Sequence, residues 1–116
     1  MKYSFAYAVI LLLASLSASN LPAASQNAND LAAQYASCAA YYLMISKADP
    51  RLKKYGQIGV AAADNARRLS TTDLALAFMA TETKRLLKLM DHSWDNAGVI
   101  IKQRSEPCKK LMTVNE

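Results

Sequence analysis

Three stretches of the chain place apolar residues at helical intervals. From Asn29 onward these are Leu31, Tyr35, Cys38, Tyr42 and Ile45, in alternating steps of four and three. Such steps mark one face of a helix. Asn29 or Asp30 can cap its start. Asp49-Pro50 ends it, because the residue before a proline avoids helical dihedrals. The same dipeptide opens a second helix, with Asp49 as cap and Pro50 at the first position. Leu52, Tyr55, Gly59, Ala62, Ala66 and Leu69 carry its face. Gly56 and Gly59 weaken its first half by about 1 kcal/mol each relative to Ala, and their lack of bulk predicts a close helix approach.

Ser70-Thr71-Thr72-Asp73 reads as a third start, a hydroxyl cap followed by an acid in the first turn. Leu76, Met79, Thr83, Leu86 and Met90 follow at helical spacing, and Leu74, Phe78, Leu87 and Leu89 widen the stripe. This third helix is expected to be the central one, buried on several sides. Trp94, Ala97 and Ile101 extend the series. The pattern allows either a break near Asp91–Ser93 or a continuous helix to about Arg104. Pro107 restarts or kinks the chain, and Cys108, Leu111 and Met112 form a short last turn. No alternating strand pattern appears. The predicted class is all-α, a small bundle of three to four helices.

The amino-terminal segment has a different grammar. Lys2 precedes an apolar run from Phe5 to Leu16, then small residues, as in a secretory signal peptide. The run falls short of the roughly 20 residues needed to span a bilayer. Ser17-Ala18-Ser19 and Ala23-Ala24-Ser25 both fit the small-residue exit, and Pro22 favours the second. The expected organisation is a signal peptide over 1–25 and one helical domain over 26–116, periplasmic or secreted, and not integral to a membrane once cleaved. Tyr35-Ala36-Ser37-Cys38 has the outline of a lipoprotein processing box. It lies far beyond the apolar run, with Tyr where an aliphatic residue belongs, so no lipid anchor is expected.

Export changes the meaning of the two cysteines. Cys38 and Cys108 allow one pairing in an oxidising compartment. A bridge across so long a loop contributes roughly 4 kcal/mol, against about 5–15 kcal/mol for a whole domain. The spacing is not that of a C-x-x-C redox pair. Two cysteines and one histidine make a poor zinc set.

The chain has a net charge of +5, which favours anionic partners in general. Its cations form knots: Arg51, Lys53 and Lys54; Arg67 and Arg68; Lys84, Arg85 and Lys88; Lys109 and Lys110. Asp64 before Arg68 and Glu82 before Arg85 fit ordinary pairing on helix surfaces. Export argues against a nucleic-acid partner. His92, with Asp91 and Asp95 nearby, reads as an exposed helix end rather than a catalytic or metal group. Met44, Met79, Met90 and Met112 read as core filling, with a small metal or haem carrier as the alternative. No C-x-x-C-H is present for covalent haem attachment. Contact residues are sought among amphipathic aromatics and cations. They are expected at Tyr41, Tyr55, Arg51, Lys53 and Lys54, with no catalytic residue, metal or cofactor.

Cys38-Ala39-Ala40-Tyr41-Tyr42 and the later Cys108-Lys109-Lys110-Leu111-Met112 carry a resemblance. The chain resembles small uncharacterised exported all-helical proteins of proteobacteria with a two-cysteine frame. The resemblance implies a bacterial envelope setting and no activity or ligand. The function expected from these features is that of a non-enzymatic interaction protein: an inhibitor, an immunity factor or an accessory subunit bound to another envelope protein. Binding of anionic envelope components through the basic knots is the alternative.

Overall fold

The computed structural model describes residues 27–113. The expected signal peptide and both of its cleavage positions lie outside them. Helix α1 covers 27–48, followed by a 3-10 turn at Pro50–Leu52 and α2 at Tyr55–Leu69. Helix α3 covers Thr72–Leu89, and after a 3-10 turn at Trp94–Asn96 comes α4, Ala97–Met112. These four helices form a bundle, with no strand among the described residues.

The centre of the bundle is α1, not α3 as the sequence suggested. Ala32, Ala36, Cys38, Ala39, Ala40, Tyr41, Tyr42, Met44 and Ile45 are all buried, which makes α1 the most buried of the helices. On α3 only Ala75 and Leu86 are buried within the helix, while Leu74, Leu76 and Leu89 are exposed. The physical reason is side-chain size. The alanines of α1 let three helices approach one axis, whereas a stripe count gives more weight to Leu and Met than to Ala.

Two apolar clusters fill the bundle. The larger joins Tyr41, Tyr42, Met44 and Ile45 of α1 to Tyr55 of α2, Leu86 and Met90 at the end of α3, and Ile100 and Cys108 of α4. The smaller joins Ala36, Ala66 and Ala75. Gly59 is the tightest approach. A Cβ there would lie 2.8 Å from Leu43 Cγ and 3.1 Å from the Leu43 backbone nitrogen. Since Ala36 meets Ala66 and Leu43 meets Gly59, α1 and α2 run antiparallel.

The helix ends follow local chemistry. Residues 29 and 30 lie inside α1 and do not cap it, because the helix is already formed at 27. Asp49 caps the 3-10 turn, accepting from the Arg51 N–H at 2.9 Å with Pro50 at the start, and α2 begins only at Tyr55. Thr71 caps α3, its hydroxyl accepting from the Leu74 N–H at 3.1 Å. The chain breaks after α3 through a paired return of hydrogen bonds. The His92 N–H donates to the Leu87 carbonyl at 2.9 Å and the Asp91 N–H to the Lys88 carbonyl at 3.0 Å. That is a Schellman motif, which wants a left-handed residue just past the helix. Asp91 fills that role with φ 53°, and His92 follows with φ 55°. The Asn96 side chain donates to the Met90 carbonyl at 2.8 Å, tying the turn to α4.

Pro107 neither restarts nor stops the chain, since α4 runs through it. Pro107 and Gln103 both lie on the exposed side of α4, where the missing backbone bond is least costly. One residue later the last turns are fixed to the core. Cys38 and Cys108 form a disulfide with a Cα separation of 5.4 Å, bridging positions 70 apart. Both cysteines are buried.

Candidate functional site

The contact residues expected from sequence divide into two groups. Tyr41 and Tyr55 are 2 % and 8 % exposed, so they are core residues and offer a partner no surface. Their rings explain this. Tyr42 stacks on Tyr55 at 5.7 Å between centroids, and Tyr41 tilts against Tyr42 at 5.0 Å. An aromatic cluster of this kind gains more from mutual burial than from a rim position. Arg51, Lys53 and Lys54 are exposed as expected, at the corner between α1 and α2.

At that corner the cations are not equivalent. Arg51 is engaged by Asp49, with contacts of 2.6 to 3.1 Å to both carboxylate oxygens. These hydrogen bonds hold the Asp49 carboxyl below, and the Arg51 guanidinium above, their ordinary values. The Lys54 ammonium lies 5.3 Å from the centre of the Tyr55 ring, a cation–π distance. Lys47, Lys53 and Lys54 form no ion pair with a carboxylate among the described residues.

From this corner a continuous valley runs across one face of the bundle. Its first depression, between the end of α1 and the start of α2, is lined by Lys47, Lys53, Lys54, Gln57 and Val60. Val60 also lines a second depression, between α2 and α3, with Leu76 and Met79. Met79 in turn lines a third, floored by Ala40 and Leu43 of α1 and bordered by Thr83, Leu87 and Trp94. Lys47 belongs to both the first and the third. The three are therefore one surface. α2 lines the first two depressions and α3 the last two, forming the walls, while α1 lines the first and third and floors the two ends. Val60 is 63 % exposed, Leu76 58 % and Trp94 48 %. Large apolar side chains grouped along one concavity mark a contact surface.

A polar knot on the inner side of α3 fixes the geometry of that wall. The Ser37 hydroxyl on α1 donates to Glu82 at 2.6 Å. Arg85 grips both Glu82 oxygens at 2.8 and 3.0 Å, and Arg104 of α4 reaches Glu82 at 3.4 Å. Arg104 also donates to the Ser37 hydroxyl. The Glu82 side chain is only 12 % exposed. Burial pushes its carboxyl up, but the hydrogen bonds from Arg85 and Ser37 and the charges of Arg104 and Arg85 outweigh it, leaving the group below its ordinary value. The knot joins α1, α3 and α4. Sequence spacing found the Glu82–Arg85 pair but placed it on the open surface. The missed signal is that Glu82 shares a helix face with Ala75, Met79 and Leu86.

The other residues singled out by sequence do not converge. His92 lines a shallow depression with Lys84, Arg85 and Lys88 rather than with Asp91 and Asp95. Met44 and Met90 lie inside the larger apolar cluster and Met112 packs on it, while Met79 packs on the smaller one. The described residues contain no group of three or more His, Cys, Asp or Glu able to hold a metal ion. No described helix is long and apolar enough to cross a membrane. Asp64, on the far flank of the valley, is paired with Arg67 at 2.7 Å and Arg68 at 2.8 Å, which holds its carboxyl below the ordinary value.

Comparison with protein-family models, with curated proteins and with solved structures gives no match. The valley, the knot and the disulfide therefore carry the functional argument.

Proposed function

We propose that this protein is a small exported interaction protein of a bacterial periplasm, acting without catalysis as an inhibitor, an immunity factor or an accessory subunit. The observation that carries this reading is the apolar valley, with Val60 and Leu76 exposed where it runs between α2 and α3 and Trp94 exposed where it meets α1. A rigid helical frame lowers the ordering cost of binding, and a groove between helices is a common seat for a partner's helix. The Cys38–Cys108 disulfide is compatible with an oxidising compartment. A second reading, recognition of anionic envelope components, draws on Lys47, Lys53 and Lys54 at the corner of α1 and α2.

Capture from envelope extract tests both readings. The mature chain is immobilised beside its Leu76→Glu variant, in low and high salt. Salt-resistant capture of one protein by the wild type, lost with Leu76→Glu, supports the first reading. Capture of lipid or polysaccharide that disappears at high salt supports the second. Capture of neither contradicts both.

A further inference from the structure

We infer that the valley seats one amphipathic helix of a partner protein, with acidic side chains gathered at the end that meets Lys47, Lys53 and Lys54. This rests on the interaction-protein reading and names the surface and the chemistry of the partner. Three features point to a helix. The valley lies between two antiparallel helices and crosses a third at its two ends, a groove where another bundle helix can lie. Its floor is narrow-chained at Ala40, and its apolar residues stand on both walls. The α2 wall from Tyr55 to Arg67 spans about 18 Å, enough for about three turns of a docked helix.

The charges choose among occupants. At the α1–α2 end Arg51 is already neutralised by Asp49, but Lys47 and Lys53 meet no carboxylate among the described residues. At the far end the single Asp64 is outnumbered by Arg67 and Arg68. The unpaired positive charge is concentrated at the corner, so it selects an acidic end of the occupant and orients it. The chain's own leader, 1–25, carries Lys2 and no Asp or Glu, so it lacks the required charge. A second copy carries the same net positive charge and repels. A lipid surface cannot follow a concavity floored by Ala40 and Met44, the latter buried.

Selection from a phage library of helical peptides about 12 residues long, the reach of the valley, tests this directly. The selected peptides are then measured against the wild type, Leu76→Glu and the double variant Lys47→Glu/Lys53→Glu. All three are checked for unchanged helical content. Phosphatidylglycerol vesicles and sedimentation of the protein alone run in parallel. The expected peptides carry an apolar stripe at helical spacing with Glu or Asp at one end. Leu76→Glu weakens them about tenfold or more, as loss of a central contact does. The lysine variant weakens them and removes their salt dependence. Peptides of another chemistry, or peptides indifferent to Leu76→Glu, overturn this surface while leaving the interaction-protein reading intact. Self-association lost in Leu76→Glu overturns the occupant named here. Vesicle binding with no peptide selected overturns both the inference and the reading beneath it. Failure to select any peptide, without vesicle binding, overturns the inference.

Discussion

Replacing Gly59 with Ala tests the packing of α1 against α2 at its narrowest point. The new methyl would sit 2.8 Å from Leu43 Cγ, 3.1 Å from Leu43 Cδ2 and 3.1 Å from the Leu43 backbone nitrogen. Ordinary carbon contacts begin near ~3.5 Å, so the methyl is short by roughly 0.7 Å. The obstructing atoms are a branch point and main chain, and the terminal methyl alone cannot swing aside. Helix propensity favours Ala by about 1 kcal/mol, while overpacking a core costs about 1–3 kcal/mol. The steric term wins, and Gly59→Ala is expected to lower stability by about 1 kcal/mol. Gly98 supplies the control, since a Cβ there meets nothing within 4 Å. Gly98→Ala should raise stability by about 0.5–1 kcal/mol through propensity alone. Urea titrations of the oxidised proteins, followed by circular dichroism, give both values from the midpoints. Opposite signs support the close approach. A Gly59→Ala protein as stable as the wild type, or more so, refutes it.

Three further outcomes follow from named contacts. Asp91→Gly should raise stability by about 1 kcal/mol, because Asp91 holds a left-handed φ of 53° at a position suited to Gly; an unchanged thermal midpoint would contradict the turn. Glu82→Gln should cost about 1–3 kcal/mol at neutral pH, since it strips a partner from Arg85 and Arg104. The pH dependence has a definite sign. The folded Glu82 pKa is lowered, so its contribution is full above the ordinary value of 4.5 and is lost as pH falls below it through the folded value. Glu82→Gln should therefore flatten the acid limb of the stability curve. Asp49 and Asp64, also lowered, leave a residual slope. A parallel acid limb in the variant would contradict the buried knot. Reduction of the disulfide should lower stability by about 4 kcal/mol in the chain-entropy description, read as a large shift in urea midpoint with and without reductant.

Much of the fold was legible because it depends on short-range rules. Proline after Asp49, the hydroxyl at Thr71 and the apolar spacing of α1 and α2 all act within one or two turns. The pairing of Cys38 with Cys108 was legible by elimination. The interior ranking of the helices was not, because α1 is central through small side chains, and a hydropathy stripe registers large ones. Tyr41 and Tyr55 show the same limit from the other side. Amphipathic aromatics suit a rim, but here they stack on Tyr42 and leave the surface. Leu76 marks the converse. It continues the apolar spacing of α3, yet the inward residues are Ala75 and the charged Glu82, and Leu76 is left at the mouth of the valley. Only tertiary pairing distinguishes these positions. Lys53 and Lys54 were named from sequence and Lys47 was not, and the valley they border depends on how α2 and α3 spread from α1.

The most direct test is a non-reducing peptide map of the protein recovered from its native host. Mass analysis should find Cys38 and Cys108 in one linked peptide pair, on a chain beginning at Asn20 or Gln26. Two free thiols, or an intact start at Met1, would contradict a disulfide-closed bundle that works outside the cytosol.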